Sequence, residues 1–296
     1  MNTELTNISP GKRFRDAVAQ ETPLQVIGTI NAYCALMAEQ VGFRALYLSG
    51  AGVANAAYGL PDLAMTSLSE VVEEASRITA ASSLPLLVDI DTGWGGVFNI
   101  ARTIRQMVRA GVAAVHIEDQ VEQKRCGHRP NKAVVSCEEM CDRIKAAVDA
   151  KPDSDFVVMA RTDALAVEGK VAMLDRISAY EAVGADMIFA EAMMTLDDYR
   201  EVTERVSVPV LANLTEFGVT PLFTCGQLAS AKIQLALYPL SAFRAMNAAA
   251  LNVFKTLREQ GTQASVVDSM QTRKELYEFL DYPRYEEKLD QLFNHR

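Results

Sequence analysis

Residues Leu84–Asp119 read LPLLVDIDTGWGGVFNIARTIRQMVRAGVAAVHIED, and this stretch decides the fold. Leu84–Ile90 is an apolar run of strand length. A glycine-rich connection then leads to Asn99–Ala110, where apolar residues recur at helical spacing. Ala113–Ile117 is a second apolar run and ends in Glu118-Asp119. Strand, helix and strand in such close succession make a βαβ unit with parallel strands. Both runs are continuously apolar rather than alternating, as expected for strands covered on both faces.

The same alternation extends in both directions. Further strands are expected at Leu24–Ile30, Ala45–Ser49, Phe156–Ala160, Asp186–Ala190, Val208–Ala212 and Ile233–Leu237. Helices are expected from Ser9-Pro10-Gly11 to Ala19, then over Ala32–Val41, Ser67–Ala81, Ser136–Ala150, Val171–Val183, Asp197–Val206 and Thr224–Ala231. Capping boxes open two of them, Ser67 with Glu70 and Ser136 with Glu139. From Ser241 the pattern is helical to the end, broken near Gly261 and Pro283. Eight strands alternating with helices over roughly 220 residues predict an α/β fold, a (β/α)8 TIM barrel. The barrel occupies residues 1–240, and 241–296 form extra C-terminal helices within one structural unit.

The composition is that of a globular chain, with 49% hydrophobic and 23% charged residues among 296. A net charge of −9 argues against a nucleic-acid surface and against an anionic membrane. Met1–Arg15 has no signal-peptide pattern, and no apolar run is long enough to span a bilayer. Five cysteines without framework spacing suggest free thiols in a cytoplasmic, reducing compartment. Cys137 and Cys141 are read as helix neighbours rather than a metal site, since no further Cys or His ligand lies near.

Polar residues gather where strands end: Ser49, Asp89, Asp91, Glu118, Arg161, Glu191 and Asn213. In this fold those ends form the active face. Lys124-Arg125-Cys126-Gly127-His128-Arg129-Pro130 is too polar for a core helix and too dense in chemistry for a linker. A thiol among cations should have a lowered pKa and raised reactivity. Gly127 lets backbone approach a ligand, so this reads as a catalytic loop closing over an anion. Asp89 and Asp91, with Glu118, offer hard oxygen ligands suited to Mg²⁺; the alternative is a pair of solvated loop acids. Arg161, Arg244 and Arg273 are candidates for holding carboxylates bidentately, with a plain surface role as the alternative for the last two.

These motifs resemble the isocitrate lyase and phosphoenolpyruvate mutase superfamily over nearly the whole chain. The marks are LYLSGAGVA at Leu46–Ala54, GLPD at Gly59–Asp62, VDIDTGWG at Val88–Gly95, HIEDQ at His116–Gln120, KRCGHRPNK at Lys124–Lys132, MARTDA at Met159–Ala164, ANLTEFG at Ala212–Gly218 and LYPLSAFRAMN at Leu237–Asn247. The resemblance implies that Ser49, Gly50 and Ala51 bind substrate carboxylate. It implies Asp89 and Asp91 on Mg²⁺ (or Mn²⁺), with Asp62 and Glu118 supporting through water. Cys126 is implied as the catalytic thiol, with Gly127 on the substrate; Arg161, Glu191, Asn213, Leu214, Thr215, Arg244 and Arg273 line the pocket. Cys126, Arg161, Glu118, His128 and Lys124 form the expected catalytic set.

The implied reaction is cleavage of 2-methylisocitrate, a tricarboxylate, to pyruvate and succinate. Phe189 and Leu237 are the apolar strand-end residues placed to receive its methyl group. An isocitrate lyase, or a non-catalytic carboxylate-binding barrel, are the alternatives. Ser241–Arg296 is longer and more apolar than one barrel helix requires. With the resemblance, this implies a C-terminal helix exchanged between subunits and a homotetramer built from dimers.

Overall fold

The computed structural model describes residues 8–293. Its centre is a closed barrel of eight parallel strands in sequence order, with the first hydrogen-bonded to the last. The strands are β1 (Leu24–Gly28), β2 (Ala45–Leu48), β3 (Leu86–Asp89), β4 (Ala114–Glu118), β5 (Val157–Thr162), β6 (Met187–Ala190), β7 (Val210–Asn213) and β8 (Leu235–Tyr238). The helices between them are α1 (Pro10–Gln20), α2 (Ala32–Val41), α3 (Gly50–Tyr58), α4 (Leu68–Ala81), α5 (Val97–Arg109), α6 (Cys137–Asp149), α7 (Lys170–Ala182), α8 (Leu196–Arg205) and α9 (Cys225–Ser230). After the barrel come α10 (Ser241–Gln260), α11 (Arg273–Phe279) and α12 (Tyr282–Phe293).

Two apolar layers explain why the strands read as unbroken hydrophobic runs. Alternate residues such as Leu46, Leu48, Val88, Val115, Ile117 and Val158 face outward and pack under α4, α5, α6 and α7. The intervening residues, among them Ala45, Tyr47, Leu87, Ala114, Val157, Met159, Phe189, Leu211 and Leu237, form a second cluster that fills the barrel. Phe14, Ala17 and Val18 of α1 join this inner cluster, so α1 plugs the barrel where the strands begin.

The inner series keeps a period of two up to the other end of the barrel, where it turns polar. Leu87 is followed by Asp89, Ala114 by His116 and Glu118, Met159 by Arg161, Phe189 by Glu191, and Leu211 by Asn213. Pleat geometry therefore delivers these polar side chains to one mouth of the barrel.

Several expectations need correction. Gly50–Tyr58 is a helix, capped by the Ser49 hydroxyl, which accepts from the Gly52 amide at 3.2 Å. Its glycines hid it from propensity, since glycine opposes helix formation in isolation. The Ser67–Glu70 capping box is complete. At α6 only half forms: Ser136 caps the Glu139 amide, while the Glu139 carboxylate pairs with Arg143 at 2.7 Å. Arg143 in turn donates to the Glu118 and Gln120 carbonyls, at 3.2 and 2.9 Å, and buttresses the end of β4.

The pattern is broken near Pro283 as expected, with the proline itself in the first turn of α12, where its missing N–H costs nothing. The break falls at Asp281, whose φ is 51°. The first seven residues of Met1–Arg15, where no signal-peptide pattern is expected, and the helical pattern over residues 294–296 lie outside the described residues. Among the described residues no helix is long and apolar enough to cross a membrane.

Candidate active site

The mouth of the barrel holds three buried carboxylates, Asp89, Asp91 and Glu118, each offering an oxygen within 4.8 Å of the others. Asp89 ends β3, and its two oxygens accept from the amides of Asp91 at 3.0 Å and Gly50 at 3.2 Å. Asp91 lies beyond the strand with φ 47°, a left-handed conformation that aspartate tolerates better than most residues. Glu118 ends β4 with no exposure, and neither of its carboxylate oxygens has a hydrogen-bond partner among the described residues. A buried carboxylate without hydrogen-bond donors is costly, and the Arg161 guanidinium 3.3 Å away offsets it only through charge. The donor set is all hard oxygen, so these residues fit a divalent cation of the Mg²⁺ class.

The titration of the cluster is consistent with that fit. Burial pushes Glu118 well above the usual carboxylate range, against the pull of Arg161 and Lys124. Burial likewise raises Asp91 to about 6, although Lys124 opposes the shift. For Asp89 burial is outweighed by His116, Lys124 and Arg161, which hold it at about 2. The Lys124 ammonium bridges Asp62 at 2.7 Å and Asp91 at 2.6 Å.

Across the mouth, Arg161 is surrounded by acids. Its guanidinium lies 3.3 Å from Glu118, 3.0 Å from Asp163 and 3.2 Å from Glu191, and stacks 5.1 Å above the Phe189 ring. His128 Nδ1 accepts from the Val219 amide at 3.2 Å, which leaves Nε2 to carry the proton and face Glu191 at 3.3 Å. Burial works against the Glu191 charge, but Arg161 and His128 hold its carboxyl well below the usual range.

The 120–135 loop covers this site. Gln120 bridges to Val134, and the Gln120 side chain both donates to the Arg125 carbonyl and accepts from its amide. Beneath the loop lies a cavity of about 80 Å³. Ser49, Ala51, Asp62, Asp89, Lys124, Cys126, Gly127, His128, Arg161, Phe189, Glu191, Asn213, Thr215, Leu237 and Arg244 line it. Asp91, Glu118 and Gly50 stand immediately behind, joined to the lining residues by the contacts above.

Two of the expected residues do not reach the cavity. Leu214 turns its side chain into the outer core, and its amide donates to the Leu237 carbonyl at 2.8 Å. Arg273 is exposed at the start of α11, which packs against α2 and α12. Arg244 lines the cavity from the first turn of α10, 3.5 Å from Glu216.

The expected thiolate is also corrected. Burial pushes the Cys126 thiol above its usual pKa; the His128 amide and Arg161 pull it down, and Asp62 and Glu191 add to the rise. Burial is the largest cause, and three basic groups of the loop are also paired elsewhere. Lys124 is committed to Asp62 and Asp91, His128 to Glu191, and Lys132 to Asp163. Cys126 therefore stands over the cavity as a protonated thiol.

Sequence reasoning missed Tyr47 and His116, whose Oη and Nε2 lie 2.9 Å apart inside the barrel, with His116 Nδ1 3.7 Å from Asp89. The period-two inner series held the signal, since both occupy inward positions immediately before a strand-end polar residue.

The phosphoenolpyruvate phosphomutase family description matches residues 14–258. The chain belongs to that family. It is 64% identical over 286 residues to a 2-methylisocitrate lyase of Shewanella oneidensis, an alignment covering 97% of this chain and 98% of the relative. Among solved structures, 2,3-dimethylmalate lyase, a member of the phosphoenolpyruvate mutase/isocitrate lyase superfamily, superposes with a TM-score of 0.89. The two are 32% identical, with 97% of this chain and 96% of that one covered. Phosphonopyruvate hydrolase in complex with oxalate and Mg²⁺ superposes with a TM-score of 0.84 at 29% identity, covering 97% and 99%.

Proposed function

We propose that this chain is a Mg²⁺-dependent carbon–carbon lyase that cleaves 2-methylisocitrate to pyruvate and succinate. The observation that carries this reading is near-full-length identity of 64% to a 2-methylisocitrate lyase, on a chain whose acid cluster, arginine and covered thiol meet at one barrel mouth.

Breaking the C2–C3 bond requires a general base to take the C2 hydroxyl proton. The bonding electron pair passes to C3 and into its carboxylate, giving a succinate enediolate. Asp89 and Asp91 would hold the ion, with Glu118 and Asp62 behind them. When bound, Mg²⁺ acts as a Lewis acid on the hydroxyl and the carboxylate beside it, and Mn²⁺ substitutes. Arg161 is locked by Asp163 and Glu191, so its charge is in place before the enediolate forms. Ser49 offers its hydroxyl and Ala51 its amide to a substrate carboxylate, since the Gly50 and Gly52 amides are given to Asp89 and Ser49. Cys126 then gives its proton to C3. The thiol arrives protonated, as a general acid must. The loop keeps water from the carbanion-like species.

Phe189 and Leu237, each 1% exposed, supply the apolar wall for the C2 methyl group. The reaction is placed in the cytoplasm, in keeping with five free cysteines. The test assays 2-methylisocitrate and isocitrate, with and without Mg²⁺, reading pyruvate from the first, glyoxylate from the second and succinate from both. Pyruvate from the methylated substrate only when metal is present is expected. Equal turnover of both substrates would assign an isocitrate lyase, and no turnover of either a non-catalytic carboxylate binder.

A further inference from the structure

Lys132 is buried among the loop residues and belongs to none of the roles above. Its ammonium donates to the Gly127 carbonyl at 2.5 Å and to Asp163 Oδ1 at 2.6 Å. The lysine side chain is 2% exposed and the aspartate not at all. One end of this contact is thus the backbone next to Cys126; the other is a strand end.

That strand end is rigidly held. The Asp163 amide donates to Asp119 at 2.9 Å, and Asp163 itself accepts from Arg161 Nε at 3.0 Å. Asp119 also accepts from Thr162 at 2.7 Å and Tyr180 at 2.9 Å. The loop end admits little play either. A Cβ on Gly127 would come within 2.5 Å of both Arg161 Nη2 and Glu191 Oε2, so the backbone sits against the charged site with no room to shift inward.

We propose that Lys132 is the positioning residue that pins Cys126-Gly127-His128 over the barrel mouth, acting through Gly127 and Asp163 rather than touching substrate. The inference rests on reading this loop as the catalytic one. One buried ammonium bonds both the Gly127 carbonyl and a barrel strand end, and no other contact ties that carbonyl down among the described residues. Lys124, by contrast, serves the acid cluster.

The test uses the Mg²⁺-loaded full chain with two substitutions. Lys132→Met removes both bonds; Lys132→Gln keeps one amide donor without the charge and is the gentler change should the first not fold. Both are expected to lower kcat/KM for 2-methylisocitrate at least tenfold, through lower kcat and higher KM, with Lys132→Gln the milder. The Mg²⁺ concentration for half-activation should stay within threefold of wild type. Trypsin cleavage after Arg125 should accelerate at least fivefold, a loop-specific readout that general destabilisation does not give while circular dichroism and Tm hold. Wild-type kinetics and unchanged trypsin cleavage in a folded variant would overturn the proposal. So would failure of both variants to fold, which would make Lys132 a core residue. If wild type itself does not cleave 2-methylisocitrate, the functional reading fails instead, and the trypsin result still reports on the latch.

Discussion

At the residue scale, the decisive groups differ in how their surroundings treat a proton. Cys126 is kept protonated by burial, so its substitution should remove a proton donor and little else. Cys126→Ser is expected to keep the fold and substrate affinity while losing more than about tenfold in kcat, or over ~1.4 kcal/mol of transition-state stabilisation. A serine variant retaining more than about a tenth of kcat would exclude the thiol as the acid.

Glu118 and Asp91 are raised by burial, and a cation would relieve both. Chelation with EDTA should abolish pyruvate formation, and Mg²⁺ or Mn²⁺ should restore it. Asp89→Ala should remain inactive in excess metal, and full activity of the wild type in chelator would remove the ion from the reaction. Leu237 faces the cavity beside Phe189. Since a methyl in a fitted pocket is worth about 10–200-fold in kcat/KM, wild type should prefer 2-methylisocitrate over isocitrate by that order. Leu237→Phe should penalise the methylated substrate more; equal losses on both would refute the wall.

At the element scale, α1 and the 120–135 loop close opposite ends of one barrel. α1 does so with Phe14, fully buried among the inward residues of the strands. Its truncation should leave a void at the barrel floor, far from the chemistry. Phe14→Ala is expected to cost about 3–5 kcal/mol of stability, seen as a lowered Tm, with KM unchanged in the cold. A Tm equal to wild type would show that α1 is not the plug. The loop closes its end with charge rather than apolar packing, through Lys124 and Lys132 on buried aspartates.

At the scale of the whole molecule, α10 and α12 carry large apolar side chains that face solvent in the single chain. Leu251, Phe254, Leu289 and Leu292 are 52–66% exposed. Exposed patches of this kind mark subunit contacts, and we propose that the C-terminal segment packs on or swaps with a neighbouring subunit in a homotetramer. Arg273 lies on this segment, outside the cavity of its own chain. Light scattering at micromolar protein should give a mass near four times 32.4 kDa. A value near 32.4 kDa would contradict assembly.

The barrel was legible in the sequence because its physics is local: each strand is a short run buried on both faces, and each helix has its own stripe and cap. The family motifs likewise lie in contiguous stretches, so Asp89, Asp91, Glu118, Cys126 and Arg161 could be named as candidates from the chain alone. Tertiary structure decided what charge each group feels. The folded loop desolvates the Cys126 thiol, and Lys124, His128 and Lys132 are paired with Asp62, Asp91, Glu191 and Asp163, which come from other strands and loops. That reversed the expected direction of its pKa. It also revealed the Tyr47–His116 pair and the Lys132 contact, which join residues far apart in the chain or across a closed loop. Periodicity and propensity report on a segment's own burial, whereas electrostatic partners are set by which strand ends the closed barrel brings together.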